Sequence, residues 1–403
     1  MTPREAGAPD GAARPYFEDP YRTRFAAAVT ARRRDEAGLW VALDRSYFYP
    51  ESGGQEADRG ALAGVPVRDV QEDADGVVWH LVERDVPDAV AAEIDAERRA
   101  SNRRQHTGQH VLSQAFLREL DANTVSSHLG DDAGTLDFDR PGLTWEEIDR
   151  VEAVANRVVW EDRPVVSRLV AAADLGRYAL RRPPKVEGTV RLLEIEGWDV
   201  SACGGTHCAR TGEIGAIKIR GWEKMRGNVR VEFVCGDRAW RDHAWRVRQL
   251  VEAGRRRNTG DREVVEVLER ALAERDELRK QVKALETQLA RAEAAELAAA
   301  HRAAGEPVLC RIFDERAPDA LRTLARQLTA LGVERVVLAA RGPTPFVVAG
   351  RPRAGAEDLR RWLPLLRERS GGRGGGGADE VQVTAADGES AAAAAQALAR
   401  EWR

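Results

Sequence analysis

Two short stretches carry the residue types that could do chemistry. Arg103-Arg104-Gln105-His106-Thr107-Gly108-Gln109-His110 sets two imidazoles four residues apart, and Cys203-Gly204-Gly205-Thr206-His207 repeats that spacing with a thiol and an imidazole. On a helix, residues i and i+4 share a face one turn apart, so His106 and His110 can chelate one ion. In the second stretch the two glycines between the ligands let backbone approach closely. One thiolate and three imidazoles lie within the N/S donor chemistry that tetrahedral zinc prefers. A lone H-x-x-x-H arises readily by chance. Two such pairs drawn from only seven histidines and four cysteines are another matter, and His106, His110, Cys203 and His207 are expected to hold zinc.

Zinc in such a place can polarise a carbonyl or lower the pKa of bound water. Four protein ligands normally close a site, whereas catalysis needs an open position, so the sequence leaves both a catalytic and a pocket-shaping role standing. Gln109 occupies the place where a metalloprotease glutamate would be, which argues against peptide hydrolysis by that mechanism. Cleavage of an activated ester needs less general-base help and is the easier reaction.

The composition bounds the rest. The 403 residues should hold two or three domains, and 32% charged with 43% hydrophobic residues is the profile of a soluble globular protein. No apolar run approaches the ~20 residues of a membrane span. Residues 1–14, rich in Ala, Gly and Pro, are expected to be a flexible lead-in without a secretory signal. Cys203, Cys208, Cys235 and Cys310 follow no disulfide framework, which points to a reducing, cytoplasmic setting. The net charge of −4 excludes a wholly basic nucleic-acid coat. Basic residues are clustered, however: Arg98, Arg99, Arg103 and Arg104 precede the His pair, and Lys218, Arg220, Lys224, Arg226 and Arg230 follow the Cys-His pair. Two basic runs flanking a metal motif suit a polyanionic substrate.

The elements that position these residues read as a mixed α+β, multidomain chain. Leu39–Asp44, Val65–Val70 and Val77–Val82 read as strands separated by Asp/Gly turns, with His80 a strand residue and Ser52–Gln55 a plain hairpin turn. A helical pattern starts at Asp95 and carries both histidines. Thr144 and Glu147 form a capping-box signature. Strands over Val190–Ile195, Ile217–Ile219 and Arg230–Val234 surround the Cys-His motif, and Arg181-Arg182-Pro183-Pro184 breaks the chain before them. From Val264 to Ala292 apolar residues recur at 4/3 spacing, with Arg275 the one charge in the seam, so a coiled-coil dimer and an intramolecular hairpin are both open. After residue 304, apolar strands alternate with helices Pro318–Leu331 and Glu357–Glu368 and predict a small α/β domain. Its run Gly371-Gly372-Arg373-Gly374-Gly375-Gly376-Gly377 is either a flexible linker or a backbone cradle for phosphates or bases. Seven Arg against three acids between Arg351 and Arg373, a surplus of four, favour RNA.

His106-Thr107-Gly108-Gln109-His110, the Cys203–His207 box followed by Arg210–Gly215, and Leu43-Asp44…Tyr49–Gln55 resemble the alanyl-tRNA synthetase editing module. The glycine run resembles the C-terminal, DHHA1-like RNA-binding domain of the long free-standing alanyl-tRNA editing proteins. The resemblance covers nearly the whole chain after about residue 14. It implies a small β-barrel domain over 15–95, a zinc-binding editing domain over 96–236, a helical or coiled-coil connector over 237–303 and an α/β domain over 304–403 that contacts RNA. Aminoacylation and helical tRNA-recognition domains are not matched, so no ATP-dependent ligation is expected. Ser127 stands near where the fused enzymes carry Gln, and this stretch looks more like the free-standing editors. The implied activity is trans-editing: zinc-dependent hydrolysis of mischarged Ser-tRNA(Ala), and of Gly-tRNA(Ala), with tRNA(Ala) as partner and a homodimer through the connector or C-terminal domain. Thr107, Gln109 and Thr206 are the candidate catalytic residues. Gly204, Gly205 and His128 are candidates for substrate binding, and Gly371, Gly372, Arg373, Gly374 and Gly375 for RNA. The competing reading is a non-catalytic RNA-binding protein with structural zinc.

Overall fold

The computed structural model describes residues 14–181 and 188–402. Most of the expected N-terminal lead-in and the Arg182-Pro183-Pro184 breaker lie outside them. The chain divides into two units, Met1–Arg257 and Asn258–Arg403.

The first unit opens with a short helix, α1 (Pro15–Glu18), and six strands: β1 (Arg24–Arg34), β2 (Leu39–Leu43), β3 (Gly60–Leu62), β4 (Val65–Glu72), β5 (Val78–Val82) and β6 (Ala89–Ile94). They form a closed barrel in the order β1-β2-β5-β4-β3-β6, with β6 returning to β1. Closure removes every sheet edge, and alternation fills the interior with Phe25, Val41, Phe48, Leu62, Val67, Val70, Val90 and Ile94. Sequence reasoning found β2, β4 and β5 but not β1, β3 or β6. The reason is visible in β1: Arg24-Phe25-Ala26-Ala27-Ala28-Val29-Thr30-Ala31-Arg32-Arg33-Arg34 buries only Phe25 and Ala27, and pairing with β6 and β2 on its two sides makes it a strand. His80 is a barrel residue, as its alternation implied; it is buried, bonded to Ser46 Oγ at 2.8 Å and Val41 O at 3.1 Å.

The long loop between β2 and β3 is ordered by one acid. Asp58 accepts from the backbone N–H of Tyr49 at 2.7 Å and from Arg99 Nε at 3.1 Å, and both charged side chains are essentially inaccessible, 1% and 0% exposed. Arg99 also donates to Tyr47 O at 2.6 Å and Pro20 O at 2.9 Å. It belongs to α2 (Ala96–Leu120), whose start is set by Asp95 accepting from the N–H groups of Glu97 and Arg98. The barrel loop is thereby pinned to the helix that carries His106 and His110.

Beyond α2 come β7 (Thr124–Leu129), β8 (Gly134–Phe138), α3 (Trp145–Trp160), β9 (Val165–Ala171), β10 (Thr189–Ile195), β11 (Asp199–Ala202), β12 (Ile217–Lys224), β13 (Val229–Cys235) and α4 (Asp237–Arg257). They make two antiparallel sheets, β12-β13-β8-β7 and β11-β10-β9. The capping box at α3 is formed: Thr144 Oγ1 accepts from Glu147 N at 3.3 Å, and Glu147 accepts from Thr144 N at 2.9 Å. One core joins α2, α3 and the four-stranded sheet through Val111, Leu112, Phe116, Leu136, Phe138, Val151, Val158 and Phe233.

The second unit contains α5 (Val264–Ala304), β14 (Leu309–Phe313), α6 (Pro318–Ala330), β15 (Val336–Ala340), β16 (Phe346–Gly350), α7 (Leu363–Ser370), β17 (Arg373–Gly376), β18 (Glu380–Thr384) and α8 (Gly388–Glu401). The strand–helix alternation predicted here holds only for β14-α6-β15, the one parallel pair. The chain turns within five residues from β15 to β16, too short for a crossover, and the remaining pairs of the sheet β14-β15-β16-β18-β17 are antiparallel. The expected helix Glu357–Glu368 is a 3-10 turn, Leu359–Trp362, followed by α7. Helices cover both faces: α6 and the end of α5 pack over Leu338 and Val348, α7 and α8 over Val337 and Val347.

The glycine run is the larger correction. Gly371 ends α7 with φ +62, and Arg373–Gly376 is the edge strand β17, paired with β18, rather than a loop. A Cβ on Gly372, Gly374 or Gly376 would stand 1.6, 1.9 or 2.2 Å from the carbonyl oxygens of Thr384, Gln382 and Glu380. Glycine at alternate positions lets this strand lie closer to its neighbour than side chains permit. Among the described residues no helix is long and apolar enough to cross a membrane.

The Arg99–Asp58 pair generates a stability prediction. Asp58→Ala leaves Arg99 buried without its counter-charge and should lower unfolding free energy by about 3–5 kcal/mol, measured by denaturant titration. Replacing both residues with apolar side chains should recover much of that loss.

Candidate metal centre

The helix and the Cys-His loop bring the four expected ligands together. His106 and His110 stand one turn apart on α2 with their rings stacked, centroids 5.4 Å apart and planes at 20°. The loop after β11 is held by Arg191 of β10, whose guanidinium donates to Cys203 O and Gly205 O, both at 2.9 Å, and lies 4.5 Å over the Phe17 ring. Gly205 must be glycine, because a Cβ there would stand 2.1 Å from His106 Cε1. Cys203 Sγ comes to 3.3 Å from His106 Nε2 and 3.2 Å from His207 Nε2, and the four ligand atoms lie within 4.8 Å of one another.

Each imidazole is fixed from behind. His106 Nδ1 bonds Gln55 Oε1 at 2.7 Å, His110 Nδ1 bonds Asp199 Oδ2 at 3.2 Å, and His207 Nδ1 lies 3.4 Å from Thr107 Oγ1. The acceptors facing them make all three Nδ1 atoms donors, so the three Nε2 lone pairs point inward; His110 Nε2 is buried with no partner. A buried thiolate, three oriented imidazoles and an orphaned inward nitrogen fit a zinc ion in donor type and number.

The electrostatics agree. Burial opposes the Cys203 thiolate, but the imidazoles, His106 foremost, outweigh it and hold its pKa well below the usual thiol value. Burial lowers His110, yet the Cys203 charge and the Asp199 bond overcome it and raise its pKa to about 9. His207 is lowered to about 3, mainly by burial. Asp199 is lowered despite burial by its bond from His110 and the charge of Arg181, and it also accepts from Ser201 Oγ at 2.8 Å. Metal capture at this cluster therefore competes with a proton on His110.

The other expected site residues divide. Thr107 and Thr206 are buried against the cluster: Thr107 Oγ1 donates to Arg103 O at 2.8 Å and accepts from Cys208 N at 3.0 Å, and Thr206 Oγ1 accepts from Gln55 Nε2 at 3.0 Å. Gln109 is turned to Ser113, donating to its Oγ at 2.9 Å. A Cβ on Gly204 would meet only the Phe17 ring, at an ordinary 3.8 Å. His128 is exposed on β7, beside the Ser52–Gln55 turn, which docks there through Leu129 N donating to Gly54 O at 2.7 Å. Gly371, Gly372, Arg373, Gly374 and Gly375 belong to the second unit.

Gln55, Asp199 and Arg191 were missed. The turn bearing Gln55 is no plain hairpin turn: Gln55 Oε1 also accepts from Thr206 N at 3.1 Å, and Gly54 at φ +84 lies against Ser127 O where a Cβ would clash at 2.5 Å. Asp199 did leave a signal, since strand alternation puts it with Ser201 on the face that Cys203 continues. Asp199→Asn should weaken zinc affinity by roughly 10–100-fold through loss of the His110 orienting bond. Competitive chelator titration of the folded protein checks this, with Gly205→Ala expected to lose metal altogether.

The family described as the threonyl and alanyl tRNA synthetase second additional domain matches residues 190–232, which hold β10, β11 and the Cys-His loop. The alanine–tRNA ligase of Methanopyrus kandleri is 34% identical over 388 residues, 91% of this chain and 41% of that protein. That of Pyrococcus furiosus is 36% identical over 353 residues, 83% of this chain and 38% of that protein. The alanyl-tRNA editing protein AlaX-L of Pyrococcus horikoshii is 32% identical over 237 residues, 56% of this chain and 58% of that protein. The chain thus spans about two fifths of these ligases and under two thirds of the editing protein. The matched domain holds the Cys-His loop, and the chain is similar to these alanine–tRNA ligases over most of its own length and to the alanyl-tRNA editing protein over about half of it.

Proposed function

We propose that the centre hydrolyses the ester of mischarged Ser-tRNA(Ala), and of Gly-tRNA(Ala), releasing the amino acid from the tRNA. The observation that carries this reading is the convergence of three Nδ1-anchored imidazoles and one thiolate at a single point. Zinc held by His106, His110, Cys203 and His207 would supply Lewis acidity for polarising an ester carbonyl.

The chain's own residues account for the rest. The bonds of Thr107 and Thr206 support positioning roles: Thr107 holds His207 and the Cys208 backbone, and Thr206 is tied to the turn that orients His106. The turn packs against β7, so Ser126, Ser127 and exposed His128 are close in the chain to the same wall and are suited to the polar end of an aminoacyl group. A binding pocket for alanine cannot strongly reject serine's hydroxyl or the smaller glycine, which is why a second, hydrolytic site answers a real chemical need. In the second unit the side chains of Arg353, Arg360 and Arg361 are 95%, 61% and 61% exposed, though each pairs with an acid. Together with Arg373, exposed on the edge strand, these are the cations that this reading assigns to the tRNA body.

A second reading, a non-catalytic RNA-binding protein with structural zinc, is favoured by the number of protein ligands, since four saturate a tetrahedral ion. Deacylation decides between them. Zinc-loaded protein should release serine from Ser-tRNA(Ala) and spare Ala-tRNA(Ala), and Cys203→Ala should lose zinc and activity together. A folded, zinc-loaded protein that releases no serine leaves only the second reading. Arg373→Glu should raise KM for the tRNA with zinc content and kcat unchanged.

A further inference from the structure

The imidazoles of His106, His110 and His207 are buried, as are Gly205 and Thr206, whereas Cys203 is half-buried and Gly204 exposed. An ester therefore reaches the ligand atoms along the Cys203–Gly204 edge of the cluster. The loop supplies no wall of its own there, because Gly204 carries no side chain. What stands on that edge comes from the start of the described chain. A Cβ on Gly204 would have a single neighbour within 4 Å, the Phe17 ring. Phe17 is held in place from several sides. The preceding Tyr16, 2% exposed, sets its ring edge-on to Tyr49 with centroids 5.4 Å apart, and the Tyr49 hydroxyl donates to Ser52 O at 2.9 Å in the turn that carries Gln55. Phe17 in turn packs edge-on to Tyr16 at 4.9 Å, and the Arg191 guanidinium lies 4.5 Å from its centroid. That same guanidinium holds the carbonyls of Cys203 and Gly205. Ring and loop share one brace, so the gap between them is fixed.

We propose that Phe17 is a specificity-determining residue: its ring is the wall against which the acyl side chain lies, admitting glycyl and seryl groups and excluding bulkier ones. This rests on the reading of the centre as an ester hydrolase and adds what bounds its substrate on the carbon side. An apolar ring cannot select serine over alanine, since the difference between them is a hydroxyl that only a polar group can recognise. What a braced ring can do is set an upper size. Glycine at 204 leaves the space beside the ring free for the substrate, and the ring limits how far that space extends. Threonine is the diagnostic group, because it is serine with one more methyl. In a close-fitting pocket one added carbon is worth roughly 10–200-fold.

The experiment compares release of serine and of threonine from tRNA(Ala) charged in vitro with each, by the full zinc-loaded chain. Wild type should prefer the seryl ester by about tenfold or more in kcat/KM, and Phe17→Ala should shrink that preference about tenfold with zinc content unchanged. Phe17→Leu keeps an apolar group against Arg191 and should fall between; it carries the comparison where Phe17→Ala loses zinc. Gly204→Ala should act in the opposite sense. Its methyl meets the ring at an ordinary contact distance, so the fold accepts it, and the narrowed mouth should slow release of serine more than release of glycine. Non-hydrolysable seryl- and threonyl-adenosine amides should show the same shifts in Kd, a readout that does not depend on turnover. A serine-to-threonine ratio unchanged in the zinc-loaded Phe17 variants overturns the proposal. So does an equal rise in KM for every acyl group, which would set the ring against the nucleotide instead. Wild-type release of serine with either of those results overturns this proposal alone, whereas a wild type that releases no serine overturns the hydrolase reading and this proposal with it.

Discussion

The first unit depends on a buried ion pair. Arg99 and Asp58 are both out of water, and neither is tolerable there without the other. Their mutual bonds, with Arg99's donation to Pro20 O and Tyr47 O, seat the barrel's long loop on the start of α2. That seating carries the chain three residues back from Asp58 to Gln55, where it meets His106. A loop free to wander would leave the His106 ring unfixed. The barrel is therefore part of the centre, and its contribution is one amide delivered at the right place.

At the centre the same logic repeats around each imidazole. Gln55, Asp199 and Thr107 come from a barrel turn, a sheet strand and the ligand-bearing helix itself, and each takes the Nδ1 side of one ring. Fixing the tautomer from behind turns three flexible side chains into a preorganised donor set, so capture of an ion reorganises little. Arg191 adds a positive charge that holds the Cys203 loop by its carbonyls, close to where the thiolate sits. The low pKa of Cys203 follows from that company, chiefly the imidazoles, against the opposition of burial.

In the second unit backbone geometry explains a composition that invites over-reading. Seven consecutive residues with six glycines look like a linker or a phosphate loop, yet they contain an edge strand whose alternate glycines approach the carbonyls of β18. The run is ordered by sheet pairing, and the face without side chains leaves backbone near the surface. The long helix α5 presents the opposite case, a regular element that its own unit covers only near the C-terminal end.

By itself the sequence determined what local rules govern. The i,i+4 spacing of His106 and His110, their helix from Asp95, the Cys203–His207 box, the Thr144 capping box and the heptads of α5 are all properties of a few neighbouring residues. Three barrel strands were legible by alternation. Tertiary structure alone decided the rest, because it turns on partners far apart in the chain. Arg-rich β1 is a strand only through its two neighbours, and β16 is antiparallel because the turn before it is short. Gln55 and His106 are separated by 51 residues, and nothing in a Ser-Gly-Gly-Gln turn says that its amide will be buried against an imidazole. The candidate ligands are written in residue type and spacing; their orientation comes from long-range hydrogen bonds, which exist only once the barrel loop, the helix and the sheet are packed together.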